Sequence, residues 1–565
     1  MIGKKIIAKK IHLFKPRDFG TTYSGFAYAR TVNPEIITND SWPDQIGQLK
    51  TNTALKYDKN FKFVEEWGYP ALAKPIKSKG KSKNQVVSEP VERFKLHLSN
   101  IPDNEKPVLP KGINYKKAIT DYLKCMGELI KETITTRWPN VKFMKQVLII
   151  LTVPAGFSDQ AKAIMRECVY EAGLINVRSS KKLQFTTEPI YCMKLFEHTL
   201  NIVGKYELIT NIFWLANFLT VDCGSGTVDL TTRQLLKNDK LGEKTIRACG
   251  FCGGVNVDKG FLAFIGGKIG PSVLTLLQEK HHGQLQYMVQ EFCKKVKFLF
   301  TGNKEEYKTF ELDLEDVCPI IKQYVTGDKL EQLENDDWTI ELKFVDVKRM
   351  FDPVINKIIK LIREQLNNSG PISAMFLVGG FSVSKYLQKR IREEFSNKVK
   401  NNNIFVPPQP AAATLRGALE YGLNMKKIKT RRLPLTYGIE LAPLWKPGDP
   451  PERRQTHNRI FKFRRLVEKG VEVDVDQEFG FELRPSFATQ TELLMEIYST
   501  TANEATYCDE PGMKKVGKLK LDFPNPRLGF QRTISFTLTF GQMEIRAYAK
   551  NQQGKITNAT FVISV

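Results

Sequence analysis

The sequence predicts an α/β fold that holds a ligand at the ends of its strands, followed by an antiparallel β domain. Three observations predict it. Apolar segments at Val147–Val153, Leu215–Val221 and Ala374–Val378 run into loops, and helical patterns alternate with them, as in α/β domains. Two glycine-rich loops of one plan occur, at Asp18–Gly25 and Asp222–Asp229. After about residue 425, short alternating strands separated by turn residues replace the helical spacing.

The elements follow in chain order. Residues 1–30 predict one or two short strands around a Gly/Thr/Ser turn, and residues 41–70 predict strands joined by loops. Residues 72–90, rich in Lys and Ser, read as a polar surface insert. Ile119, Tyr122, Leu123, Met126, Leu129, Ile130 and Ile134 recur at helical spacing through residues 115–138. Pro154 stops the strand Val147–Val153; Ser158 caps a helix that runs to about Ala172 and ends at Gly173. Leu215–Val221 leads into the second glycine loop, and Leu230–Leu236 is the returning strand. Residues 255–300 and 351–366 read as helices. Ala374–Val378 is a buried strand, and further helices follow at 383–396 and 411–423. The expected later strands are Thr436–Leu441, Val471–Val475, Glu478–Leu483, Glu492–Ser499, Gly517–Asp522, Thr533–Thr539 and Met543–Ala549, the last two joined around Phe540-Gly541-Gln542. The Pro/Lys-rich stretch 443–455 reads as an exposed loop.

Bulk properties narrow the function. A chain of 565 residues exceeds one core and predicts about two to four domains. Hydrophobic residues at 42% allow burial throughout, which excludes a disordered chain. The net charge of +24 attracts nucleotides and polyanions. The lysines are spread along the chain, with no zinc-finger pattern, Arg/Gly tail or aromatic platform, so the charge reads as a basic surface rather than a nucleic-acid interface. Nine irregularly spaced cysteines fit a reducing compartment, and Cys249-x-x-Cys252 has no second pair to complete a metal site. No signal-peptide pattern or membrane-length apolar run is present, which makes the cytosol the expected compartment and the nucleus the alternative.

The chemistry sits in the loops. In Asp18-Phe19-Gly20-Thr21-Thr22-Tyr23-Ser24-Gly25, glycine lets the backbone turn close to a phosphate, N–H groups and hydroxyls surround its oxygens, and the adjacent acid holds a divalent ion through water. Asp222-Cys223-Gly224-Ser225-Gly226-Thr227-Val228-Asp229 repeats the arrangement, and two such loops can clamp a phosphate chain. Neither loop is a Walker A loop or a dinucleotide fingerprint. Phe376-Leu377-Val378-Gly379-Gly380-Phe381-Ser382 adds paired glycines after a buried strand, where a flat base could approach the backbone.

Together the three loops resemble the actin/sugar-kinase/chaperone ATPase superfamily, and the heat shock protein 70 family within it. Ile150-Leu151-Thr152-Val153-Pro154-Ala155 with Phe157, Ser158 and Asp159, then Ala172-Gly173-Leu174 and Glu188-Pro189, resemble the family's motifs. The divergent branch typified by heat shock 70 kDa protein 12 is suggested by Ser41-Trp42-Pro43, Asp121-Tyr122-Leu123, Gly379-Gly380-Phe381-Ser382-Val383-Ser384, Thr436-Tyr437-Gly438-Ile439 and Phe540-Gly541-Gln542-Met543-Glu544. The resemblance covers nearly the whole chain. It implies an actin-like (ribonuclease H-like) two-lobed ATPase domain over residues 1–425, the second lobe starting near 220, and a β-rich domain over 426–565. ATP or ADP with Mg²⁺ would sit between the lobes. Asp18 and Asp222 would orient waters around the metal. Gly20, Thr21, Thr22 and Tyr23 would contact phosphates, faced by Gly224, Ser225, Gly226 and Thr227. Lys95 and Glu188 would be catalytic together with Asp222, and Gly253, Gly254, Lys297, Gly379, Gly380 and Phe381 would line the adenosine region. A protein client or co-chaperone is the implied partner.

The sequence also departs from the family. Pro16 removes a ladder donor and Lys15 and Arg17 bring cations where an uninterrupted apolar strand is usual, so the first strand is expected to be shortened, shifted or damaged. Lys294 and Phe298 replace the usual ribose-binding acid and base-stacking arginine, with Glu291 nearby, and Gln409 stands where an acid is usual. No lid-length helix follows the β-like segments, so peptide clamping by a lid is not expected. Three functions stay open: a slowly hydrolysing chaperone-like switch, a non-catalytic nucleotide sensor or scaffold, and, ranked last, a small-molecule kinase.

Overall fold

In the computed structural model the chain is a mixed α/β protein with several sheets, described over residues 13–72, 90–187, 216–238, 240–540, 543–551 and 556–559. Glu188-Pro189, the Lys/Ser-rich insert beyond Leu72 and the Gly541-Gln542 turn lie outside the described residues.

Two six-stranded sheets repeat one topology. In the first, Leu13–Phe19, Tyr23–Arg30 and Ile37–Thr38 form an antiparallel meander, and Val147–Thr152 then Leu183–Thr186 add parallel strands on the other side of Leu13–Phe19. In the second, Asn217–Cys223, Val228–Leu236 and Lys240–Glu243 form the meander, and Ala374–Val378 then Ile404–Phe405 add the parallel strands. The two glycine loops are the first turns of these meanders, so the repeat seen in sequence is a repeat of whole sheets.

The first strand corrects an expectation in part, since it is damaged along one side only. Leu13–Phe19 is neither shortened nor displaced by Pro16; it pairs in parallel with Val147–Thr152 straight through the proline, with Pro16 opposite Ile150. On the other side the register with Tyr23–Arg30 holds at Leu13, Phe14, Arg17, Asp18 and Phe19 and lapses at Lys15 and Pro16. Proline lacks only its own N–H, so it interrupts one ladder locally while register on both sides is kept by the residues around it.

Burial explains the unbroken apolar strands. Along Val147–Thr152, Val147, Ile149 and Leu151 face a core with Phe19, Phe26, Tyr122, Met165 and Phe185, while Leu148 and Ile150 face a different one. That second core also takes Phe218, Phe376 and Val378 from the second sheet and Ala413, Leu415 and Leu419 from the helix Pro410–Leu423, so it fills the space between the sheets. A strand covered on both faces needs no polar alternation. On the far side of the second sheet, Leu219, Val221 and Leu377 pack with Phe261, Phe292, Phe351 and Ile355. The helices start and stop as their residues dictate: Asn114 accepts from the Lys117 N–H before Tyr115–Arg137, and Ser158 accepts from the Ala161 N–H before Asp159–Glu171, after which Gly173 takes φ +66°.

From Thr430 onward the strands pair antiparallel. Lys462–Val467, Thr436–Leu441, Glu492–Thr500 and Lys514–Asp522 form one sheet, and Glu478–Leu483, Ile534–Thr539, Arg546–Asn551 and Ile556–Ala559 form another. Ile439, Ile497, Phe536 and Leu538 share a core between them. Among the described residues no single helix is long and apolar enough to cross a membrane; one bent pair, Val255–Ile269 with Pro271–Lys280, passes on length and composition, but it is bent by 120°. Phe261, Ile265, Ile269 and Leu277 of that pair sit in the core beside the second sheet.

Candidate functional site

The two glycine loops face each other. A Cβ added at Gly226 would stand 2.7 Å from Thr21 Oγ1 and 3.2 Å from Leu96 Cδ2, so the second loop touches both the first loop and the short helical turn Phe94–Leu98. The outward carbonyls of both loops, which would repel a phosphate, are engaged elsewhere. Thr53 donates its Oγ1 to the Gly20 carbonyl at 3.0 Å and its N–H to the Thr22 carbonyl at 2.8 Å. In the second loop the Gly224, Ser225 and Gly226 carbonyls accept the N–H groups of Gly254, Val255 and Gly253, and Thr227 accepts that of Gly224. Gly20, Thr21, Thr22, Gly224, Ser225 and Thr227 remain half-buried and Tyr23 is exposed.

Lys95 is not a surface lysine. It is 5% exposed, donates from Nζ to the Phe19 carbonyl, and lies over the Phe19 and Phe157 rings at 5.3 and 5.6 Å from their centroids. The carbonyl that it holds immediately precedes Gly20. A buried ammonium keeps its charge only beside acceptors or π faces, and both are supplied at the root of the first loop.

In the second loop's hairpin two carboxylates stand side by side, because Asp222 and Asp229 are register partners. Thr414, on the helix Pro410–Leu423, donates to Asp222 Oδ2 at 2.7 Å. Asp229 accepts the Ala155 N–H at 2.7 Å and the Thr227 hydroxyl at 2.9 Å, which ties the Pro154-Ala155 turn of the first sheet to the second loop. Burial, and then the neighbouring Asp222 charge, push the Asp229 carboxyl up to about 6. Asp18 is placed by its backbone at the end of the first strand, opposite Gly25. Glu188 lies outside the described residues.

The residues expected to line an adenosine pocket also converge. Gly254 packs so closely on Phe381 that a Cβ would stand 3.0 Å from its ring, and Lys297 Nζ lies 5.9 Å from the same ring. Gly379 takes φ +87°, and a Cβ there would overlap Asp222 Oδ1 and the Cys223 carbonyl. Gly253 abuts the Ser225 carbonyl in the same way, whereas Gly380 has open space around it. Two of these side chains are already engaged. Phe381 is buried and stacks on Phe351 at 6.3 Å, and Lys297 donates to the Gly254 carbonyl at 2.7 Å and to Asp258 at 2.6 Å. Lys294 and Phe298 point outward from the π-turn Cys293–Lys297, and Gln409 accepts from Arg416 at 2.6 Å. Cys249 and Cys252 are free thiols, and burial pushes both up, Cys252 to about 11.

Thr53, Thr414 and Asp258 were not legible as site residues. Each acts by an interaction distant in sequence, and no local pattern marks a threonine that braces a loop 33 residues away or a carboxylate 192 away.

No protein-family model matches the chain. Curated relatives do. Heat shock 70 kDa protein 12A of Mus musculus is 25% identical over 602 residues, covering 94% of this chain and 88% of the relative. The Homo sapiens protein of that name gives the same figures, and Homo sapiens heat shock 70 kDa protein 12B is 23% identical over 611 residues. The chain resembles the divergent heat shock 70 branch. The similarity covers most of this heat-shock-70-like chain and most of each relative.

A divalent cation fits only in part as a protein-held ion. Among the described residues no group of three or more His, Cys, Asp or Glu side chains could hold a metal. The Asp222–Asp229 pair supplies charge without a closed cage, which suits Mg²⁺, an ion that keeps most of its waters and uses one or two carboxylates together with substrate phosphates.

Proposed function

We propose that this heat-shock-70-like protein binds ATP between its two glycine loops and acts as a slowly hydrolysing, chaperone-like switch. The observation that carries the reading is the contact of Gly226 with Thr21, which brings together the first turns of two sheets of identical topology. On this reading residues 1–425 are an actin-like two-lobed domain and residues 426–565 the domain that responds to the nucleotide, with a protein client or co-chaperone as partner, in the cytosol.

The division of labour follows from the geometry. Loop backbones and the hydroxyls of Thr21, Thr22 and Ser225 would hold phosphate oxygens, since the carbonyls of Gly20, Thr22, Gly224, Ser225 and Gly226 are engaged, while the Thr227 hydroxyl is committed to Asp229 and that residue would contribute through its backbone. Lys95 places a fixed positive charge at the root of the first loop, where negative charge on a transferring phosphoryl group would be offset. Asp222, oriented by Thr414, and Asp18 would hold Mg²⁺ through water, and the ion would supply further charge neutralisation. Glu188 would place the attacking water.

A second reading, a nucleotide sensor or scaffold without turnover, is favoured by the adenosine region, where the Lys297 ammonium is already shared by Asp258 and Gly254. Phosphate release with Mg²⁺-ATP, compared with Asp222→Asn, separates the two. Turnover in the wild type that is lost in the variant supports hydrolysis. Equal release in both removes it, and binding by calorimetry without turnover leaves the sensor.

A further inference from the structure

A second concentration of charge lies along the strand that leaves the second glycine loop. Arg233 is four residues beyond Asp229, roughly 13 Å along an extended strand, and is only 2% exposed. Around it stand Arg431 at 4% exposure, the partly covered Arg247, and one acid, Glu243, at 1%. Both oxygens of Glu243 are engaged: Oε1 accepts Arg247 Nε at 2.5 Å, and Oε2 accepts the Arg432 backbone N–H at 2.9 Å. Arg233 reaches Glu243 only at 3.9 Å.

The cluster thus holds three guanidiniums and one carboxylate in a buried place. Two further facts point to a missing anion. Arg233 Nε and Nη1 and Arg431 Nε are buried without any hydrogen-bond partner. In addition, Arg247 Nη1 and Arg431 Nη1 converge on one thioether, Met543 Sδ, at 3.2 and 3.0 Å. A thioether is among the weakest acceptors available, and two cations directed at it stand where an anionic oxygen would be far better. The Tyr421 hydroxyl also lies beside Arg431. Burial disfavours the charged forms of Arg233 and Arg431, as expected for three cations gathered around one counter-charge.

We propose that Arg233, Arg247 and Arg431 form a binding site for a small oxyanion of the phosphate or sulfate class, separate from the glycine loops. Planar guanidiniums suit such an anion because each can donate two parallel N–H bonds. The site joins the second sheet, the strand Thr430–Arg432 and the turn before Arg546–Asn551, so the anion would fasten the C-terminal strands to the rest of the chain.

The test is calorimetric titration of the full chain with inorganic phosphate, sulfate and acetate at constant ionic strength. Saturable binding of phosphate and sulfate is expected in the wild type and equally in Asp222→Asn, whose change lies in the glycine-loop site. Arg431→Gln should weaken it at least about tenfold. Two variants keep the arginines: Glu243→Gln, which removes the internal competitor, should tighten phosphate, and Met543→Glu, which tethers a carboxylate between Arg247 and Arg431, should abolish the response and raise Tm, so that its loss of binding is not a loss of folding. No saturable binding of phosphate or sulfate overturns the proposal. So does binding that is lost in Asp222→Asn or indifferent to both Glu243→Gln and Met543→Glu.

Discussion

Gly226→Ala is the smallest change that should separate the two loops. The added methyl would stand 2.7 Å from Thr21 Oγ1 and 3.3 Å from Thr21 Cβ, against about 3.4 Å for ordinary van der Waals contact. The loops must therefore part by about 0.7 Å, or Thr21 must leave its rotamer. Overpacking of this kind costs about 1–3 kcal/mol. Because the clash lies on the surface that a phosphate chain would bridge, that cost should fall on binding and weaken Mg²⁺-ATP roughly 5- to 150-fold. Calorimetry should show the loss, and Thr21→Ala in the same chain should return part of it by removing Oγ1, giving a positive coupling in the double-mutant cycle. Gly267→Ala is the control, since its Cβ meets nothing within 4 Å and it lies in the helix Val255–Ile269; it should leave binding unchanged. Wild-type affinity in Gly226→Ala, with no coupling to Thr21, would refute the facing-loop reading.

Lys95→Met preserves the buried stem and removes the charge at the Phe19 carbonyl; phosphate release in a single turnover should fall by about 10²-fold or more while ATP affinity changes less than about tenfold. Gly379→Ala meets both a left-handed φ of +87° and the Asp222 carboxylate, so it should lower Tm and abolish Mg²⁺-dependent ATP binding, both read in one thermal-shift titration. Ser158→Ala removes the cap on the Ala161 N–H and should cost about 1 kcal/mol of stability in urea unfolding without altering ATP affinity.

The parts of this protein that were legible from sequence are those whose cause is local. Ala374–Val378, Thr436–Leu441 and Glu478–Leu483 stand at their expected bounds, because apolar runs and alternation specify strands directly. The strand Lys462–Val467 was missed for a reason visible in its pairing. A register shift opposite Tyr437 and Gly438 leaves Arg464 and Arg465 both exposed between buried Phe463 and Val467, so the two-residue period is broken where a bulge occurs. Pro16 was legible only by half: the ladder does lapse at Lys15 and Pro16 on the side of Tyr23–Arg30. The sequence shows that a donor is absent, but not that Val147–Thr152 pairs without interruption along the other edge.

The site divides along the same line. The repetition of the glycine loops was legible because both are first turns of like meanders, and the phosphate clamp proposed for them rests on that repeat. The burial of Lys95, the Thr414 bond to Asp222 and the Ala155 bond to Asp229 depend on which sheet faces which, and no window of sequence contains that. The last of these has a mechanical consequence. Asp229 is held by the first sheet through Ala155 and by its own loop through Thr227, so a change in the separation of the sheets must alter the hydrogen bonding of a carboxylate beside Asp222. On the proposed reading, closure around a phosphate chain would change the surroundings of Asp222 in the same motion, which is what a nucleotide-operated switch requires.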